Sequence, residues 1–127
     1  MSQGRREARR TALFVLYQWD VTGEPLASLW EGDIDSFAQS LAVEGSERAG
    51  ELDGRISELS RDWPADRLGA LERNILRLGI VELDRAEVPT EVAIDEAVHL
   101  AKRFASPDAA KLVNGILGRL VRERDAA

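Results

Sequence analysis

Residues 88–117 read VPTEVAIDEAVHLAKRFASPDAAKLVNGIL. Val92, Ile94, Ala97, Val98, Ala101 and Ala105 recur there at helical spacing, which predicts an amphipathic helix. Thr90 stands where an N-cap is needed. The SPD step at 106–108 stops that helix and starts another. Ser106 followed by Pro107 reads as a cap with proline at the first helical position, where a missing N–H costs nothing. Leu112, Val113, Ile116, Leu117, Leu120 and Val121 carry this last helix, which is expected to fray into RERDAA.

The same period extends outward. In LERNILRLGIVEL, residues 71–83, Leu71, Ile75 and Leu78 continue from Leu68, and Leu76, Ile80 and Leu83 widen the stripe. A helix apolar over so much of its girth belongs at the centre of a core. Upstream, Phe37, Leu41, Gly45, Arg48, Leu52, Ile56, Leu59 and Trp63 step by three or four residues. They predict one long helix from about Ile34 to about Asp62, ended by Pro64. Gly45, Gly50 and Gly54 weaken it by about 1 kcal/mol each and mark a kink or a close approach. Near the start, Ala8, Ala12, Val15, Leu16 and Trp19 predict a helix that Thr22-Gly23 and Pro25 terminate, with a short turn at Leu26 to Trp30. No period-2 run of useful length occurs. The reading is all-α: five long or moderate helices and one or two short ones, in a single domain over 1–127.

A chain of 127 residues, 44% hydrophobic and 31% charged, can bury one proper core. It has no cysteine, so disulfides and thiolate chemistry are excluded. No apolar run approaches the ~20 residues that span a bilayer, and the basic N-terminus lacks the apolar core of a secretory signal. A cytoplasmic protein without a membrane segment is expected. The net charge of −6 is unevenly spread. Residues 1–23 carry four arginines against two acids, residues 24–62 ten acids against three arginines, and residues 63–127 ten bases against eleven acids. An acidic total does not exclude nucleic acid when the few cations are clustered.

They are clustered in GRREARRTALFVLYQW, residues 4–19. On a helical wheel Arg5, Arg6, Arg9 and Arg10 share a face beside the apolar set, with Tyr17 one to two turns further on. Arginine forks phosphate and stacks on bases, and tyrosine offers a π-face to an unstacked base. Cations at a helix N-terminus cost up to about 1 kcal/mol each, and such local conflicts mark functional positions. The competing reading is a solvated helix end. Other constellations carry less. His99 is the only histidine, too few for a metal site. Asp95 and Glu96 are adjacent on a helix and diverge, so they suit surface charge better than paired acid–base work. In VNG, residues 113–115, Gly115 is expected to allow a close helix approach and Asn114 to bond a loop backbone. No phosphate-cradling glycine loop is present.

Three blocks resemble the NusB transcription antitermination family: residues 88–117, the central helix at 71–83, and RREARRTALFVLYQWD at 5–20. The resemblance implies two three-helix bundles packed roughly at right angles, with no enzyme activity and no cofactor. It implies binding of the boxA element, a short single-stranded RNA of ribosomal operons, together with a small-subunit ribosomal protein, NusE. It also implies action on the transcription elongation complex. Carried onto this chain, the family's RNA-facing positions are Arg5, Arg6, Arg9, Arg10 and Tyr17, with Asp108, Lys111 and Leu112 near the RNA and partner surface and Glu72 beside them. There are departures. Glu7 interrupts the arginine run, Arg10 stands where some relatives have an acid, and Leu112 stands where many have Phe. Some members dimerise, so the alternative is a helical scaffold or homodimer without RNA contact, in which Leu13 and Tyr17 bury against a second copy.

Overall fold

The computed structural model describes residues 4–60 and 67–127. The described residues form six α-helices and one 3-10 turn: α1 Arg5–Thr22, the turn Leu26–Leu29, α2 Ser36–Glu47, α3 Ala49–Ser60, α4 Ala70–Arg85, α5 Thr90–Phe104 and α6 Pro107–Ala126. No strand occurs among the described residues. Helix α1 packs on α2 and α5 on α6, α3 sits against α2, α4 and α6, and α4 touches all five of the others. It is the most buried helix, with Ile75, Leu76, Ile80 and Val81 fully inside. That is the outcome its wide apolar face requires.

The termini of the helices follow from local chemistry. Gly23 closes α1 in the left-handed conformation at φ 72°, its N–H donating to the Trp19 carbonyl at 3.0 Å. Asp35 opens α2, its carboxylate accepting the Ala38 N–H at 2.9 Å. Ser106 caps α6 as expected, accepting the Ala109 N–H at 3.0 Å ahead of Pro107. Thr90 is not a cap. It is the first helical residue of α5, and the extended Pro89 precedes it. The RERDAA tail stays helical to Ala126 instead of fraying from Arg122.

The expected long helix is two. Arg48 leaves helical geometry at φ −99°, ψ 11°, between α2 and α3. The break falls where Gly45, Ser46 and Gly50 weaken the helix, and the Ser46 hydroxyl donates back to the Val43 carbonyl at 2.8 Å. The apolar stripe crosses the break unchanged, with Leu41, Leu52 and Ile56 fully buried. Its last member, Trp63, and the Pro64 stop lie outside the described residues. Gly45 is a point of close approach: a Cβ there would come within 3.0 Å of Leu16 on α1.

Arg48 itself sits on the stripe as a charged hub. It pairs with Glu44 at 2.7 Å, Glu51 at 2.9 Å and Asp84 of α4 at 2.7 Å. Arg55 also reaches Asp84, Arg77 reaches Asp53, and Arg85 reaches Glu44. Part of the acidic middle stretch is therefore counter-charge for Arg48 and for the arginines of α4. Burial alone would raise Glu44 and Asp84. Their arginine partners outweigh it and hold both below the ordinary carboxylate range.

Candidate nucleic-acid interface

Two ionic latches fix α1 antiparallel on α4. At one end Arg9 forks Glu82, Nε to Oε2 at 2.8 Å and Nη2 to Oε1 at 2.9 Å. At the other, Asp20 accepts from Arg73 at 2.8 Å, Asn74 at 3.0 Å and Arg77 at 3.2 Å. The latches lie eleven residues apart on α1, about 16 Å along its axis. Burial would raise the Asp20 carboxyl, but these donors hold it below its usual range.

The four arginines part company. Arg9 is only 5% exposed, and a second carboxylate, Glu96, stands 3.8 Å from its Nη1. Burial works against its charge, yet the hydrogen bond and attraction of Glu82, with Glu96, outweigh that and raise its pKa. An arginine so enclosed holds α1 to α4, so its place on the outward strip is corrected. On the wheel it lies nearer the core-facing side than Arg6 or Arg10. Arg5 is exposed and lays its guanidinium 3.9 Å over the Phe37 ring of α2. Arg6 keeps its side chain 66% exposed while its Nε donates to Glu96 at 3.1 Å. Arg10 is partly exposed and pairs with Glu7 one turn back. Glu7 thus supplies local counter-charge to the arginine run and puts an acid in the first turn, where the helix dipole favours one.

Tyr17 is half-buried between the arginine end and the Asp20 latch. Leu13 is fully buried in the chain's own core, so it cannot serve a second copy as the scaffold reading required. Glu72, Asp108 and Leu112 converge on one open cleft of about 350 Å³, between the start of α4 and the start of α6. Arg67, Leu68, Gly69, Ser106 and Ala109 complete its wall. A Cβ on Gly69 would collide with the Glu72 carboxylate, so glycine is what lets Glu72 fold back over its own helix start. Arg73 ties this cleft to the Asp20 latch, donating to the Leu68 carbonyl at 3.1 Å. Lys111 is exposed one residue before Leu112. The sequence-derived set therefore divides into Arg5, Arg6 and Arg10 at one end, Glu72, Asp108, Lys111 and Leu112 at the other, and Tyr17 between.

Two expectations about VNG fail. Gly115 is exposed, and a Cβ on it would meet nothing within 4 Å, so no helix approaches there. Asn114 is exposed as well, and among the described residues its side chain makes no hydrogen bond to a loop backbone. The close approach belongs instead to Gly79 of α4, where a Cβ would come within 2.8 Å of Leu117. Sequence reading also passed over Arg67. Its place in the cleft depends on the start of α6 packing beside the start of α4, which no local period reports. Among the described residues, no group of His, Cys, Asp or Glu could hold a metal ion, and no helix is long and apolar enough to cross a membrane.

The sequence model of the NusB family matches residues 6–122. A transcription antitermination protein NusB of Desulforamulus reducens is 38% identical, covering 98% of this chain and 94% of that protein. The NusB of Rubrobacter xylanophilus is 45% identical over 89% of this chain and 86% of its own length. In fold, the chain superposes on T. maritima NusB with a TM-score of 0.84 at 32% identity, covering 97% of this chain and 94% of that one. It also superposes on a structure of the antitermination factors NusB and NusE in complex with double-stranded RNA. There the TM-score is 0.82 at 32% identity, with 94% of this chain and 96% of that one covered.

Proposed function

This chain belongs to the NusB family of transcription antitermination proteins, and from that premise we propose that it binds boxA-type single-stranded RNA of ribosomal operons together with the ribosomal protein NusE, in the cytoplasm, and acts with them on elongating RNA polymerase. The observation that supports this reading is the row on α1. Arg6 and Arg10 stay accessible beside Tyr17, and that face leads to a cleft where acids and an apolar side chain converge.

Each group has a chemistry that suits a strand. Arg5, Arg6 and Arg10 take phosphates, and Tyr17 takes the face of an unstacked base. The cleft is a different kind of surface. Glu72 and Asp108 would repel a phosphate, but a carboxylate accepts from base amino groups, as it does from the amino group of cytosine. Lys111 neutralises backbone charge at the rim, and Leu112 gives apolar contact where many relatives place an aromatic ring. Phosphate contacts set affinity and the cleft sets preference.

The test is a titration of boxA RNA, a scrambled strand of equal composition and a duplex control, each with and without NusE. The reading expects boxA to bind weakly alone, more tightly with NusE, and better than either control. Equal affinity for boxA and scrambled RNA in the presence of NusE would defeat it.

A further inference from the structure

The arginine row does not end at Arg10. Arg6, Arg10 and Phe14 follow one another at i, i+4 and i+8 on α1, one turn apart. Phe14 is 38% exposed and sits near the middle of the face that α1 turns away from the core. Single exposed apolar residues need no explanation, but this one is built upon. The Phe104 ring, at the end of α5, meets it edge to face, with centroids 5.0 Å apart and planes at 85°. The Arg103 guanidinium lies 5.0 Å over the Phe104 ring. The pairing has a register: Arg6 binds Glu96 and Phe14 meets Phe104, both ninety residues apart, so α1 and α5 run parallel along this seam.

We propose that Phe14, held by Phe104 and flanked by Arg10 and Arg103, is a base-stacking platform that extends the single-stranded RNA path along the α1–α5 seam. The proposal rests on the RNA-binding reading and adds a nucleotide subsite to it. An aromatic pair with a cation at each end matches what one nucleotide presents, a base face joined to phosphates on either side. On the α5 side the Phe14 ring has Phe104 as its partner, with Arg103 over that second ring and Arg10 one turn back on α1, so cations close both ends of the aromatic pair. The other flank sets the direction. Phe14 also lines a cleft where Leu29, Trp30 and Ile34 are ringed by Glu31, Asp33 and Asp35, whose carboxylates repel phosphate and leave the α5 side to the strand.

The experiment uses boxA RNA carrying 2-aminopurine at successive positions, with NusE present, against wild type, Phe14→Leu and Arg103→Gln. Phe14→Leu keeps an exposed apolar side chain and removes the π-face. The expected result is quenching at one position in wild type, lost in Phe14→Leu, with affinity weaker by roughly 5- to 150-fold, the range for one stacked base. Its salt slope stays as in wild type, since stacking releases no counterions. Arg103→Gln flattens that slope by about 0.7, one single-strand phosphate. Wild-type RNA binding that Phe14→Leu leaves unchanged would overturn the platform and spare the RNA reading. A wild-type chain that binds no RNA even with NusE would overturn both. A Phe14→Leu change that alters sedimentation of the free protein without altering RNA affinity would overturn the platform in favour of self-association.

Discussion

Replacing Arg9 by glutamine separates a structural arginine from its RNA-facing neighbours. The Arg9 and Glu82 side chains are 6% and 8% exposed and share two hydrogen bonds. Removing the cation leaves Glu82 buried and short of a partner, which costs about 3–5 kcal/mol in sites of this kind. Glutamine can return one hydrogen bond to Glu82, so the expected loss is near the lower end, about 3 kcal/mol. Replacing both residues, Arg9→Met with Glu82→Leu, should recover most of it, because no charge is then left unpaired. Urea unfolding of wild type, Arg9→Met, Glu82→Leu and the pair gives the coupling directly. RNA affinity at a temperature where all four are folded should change little in its salt dependence. A loss of stability below about 1 kcal/mol, together with a salt slope flattened by about 0.7, would refute the reasoning and return Arg9 to the RNA-facing set.

Further outcomes follow from single positions. Ala86 closes α4 at φ 54°, a conformation that disfavours any Cβ, so Ala86→Gly should raise stability by about 0.5–1 kcal/mol in the same urea assay. Gly115→Ala should also stabilise, by up to about 1 kcal/mol, because the new methyl meets open space on a helix. Gly79→Ala should destabilise by about 1–2 kcal/mol, since the helix gain is smaller than the cost of displacing Leu117. Asp20, Glu44 and Asp84 have carboxyls held below their ordinary values of 3.8, 4.5 and 3.8. Their contribution to stability is therefore fully present above about pH 5 and is lost as pH falls through the lower folded values. Urea midpoints measured from pH 6 down to pH 3 should fall more steeply for wild type than for Asp20→Asn.

Much of this architecture was legible because helices write their period into the chain. The caps at Gly23 and Ser106 and the central place of α4 could be read from residue type and spacing alone. The division of one long helix into α2 and α3 could not, because the apolar stripe continues across Arg48 and only the backbone turns. The site was legible as a charge cluster, but its internal division was not. Arg9 and Arg10 are neighbours in the chain, and what separates them is Glu82, seventy-three residues away from Arg9. Phe104 and Arg103 were invisible for the same reason, since nothing local says that α5 ends beside Phe14. Gly115 and Gly79 show the complementary failure. Both are glycines inside helices, and only the distance to Leu117 tells which one is required.

The central claim is that the accessible arginines of α1 hold the phosphates of a single RNA strand. It is tested most directly by the salt dependence of boxA binding, with NusE present, for wild type and for Arg5→Gln/Arg6→Gln/Arg10→Gln. Removing one arginine from a single-strand phosphate should flatten the slope of log affinity against log salt by about 0.7. The expected triple variant remains folded, with a slope flatter by about 2. A triple variant with the wild-type slope would contradict the claim.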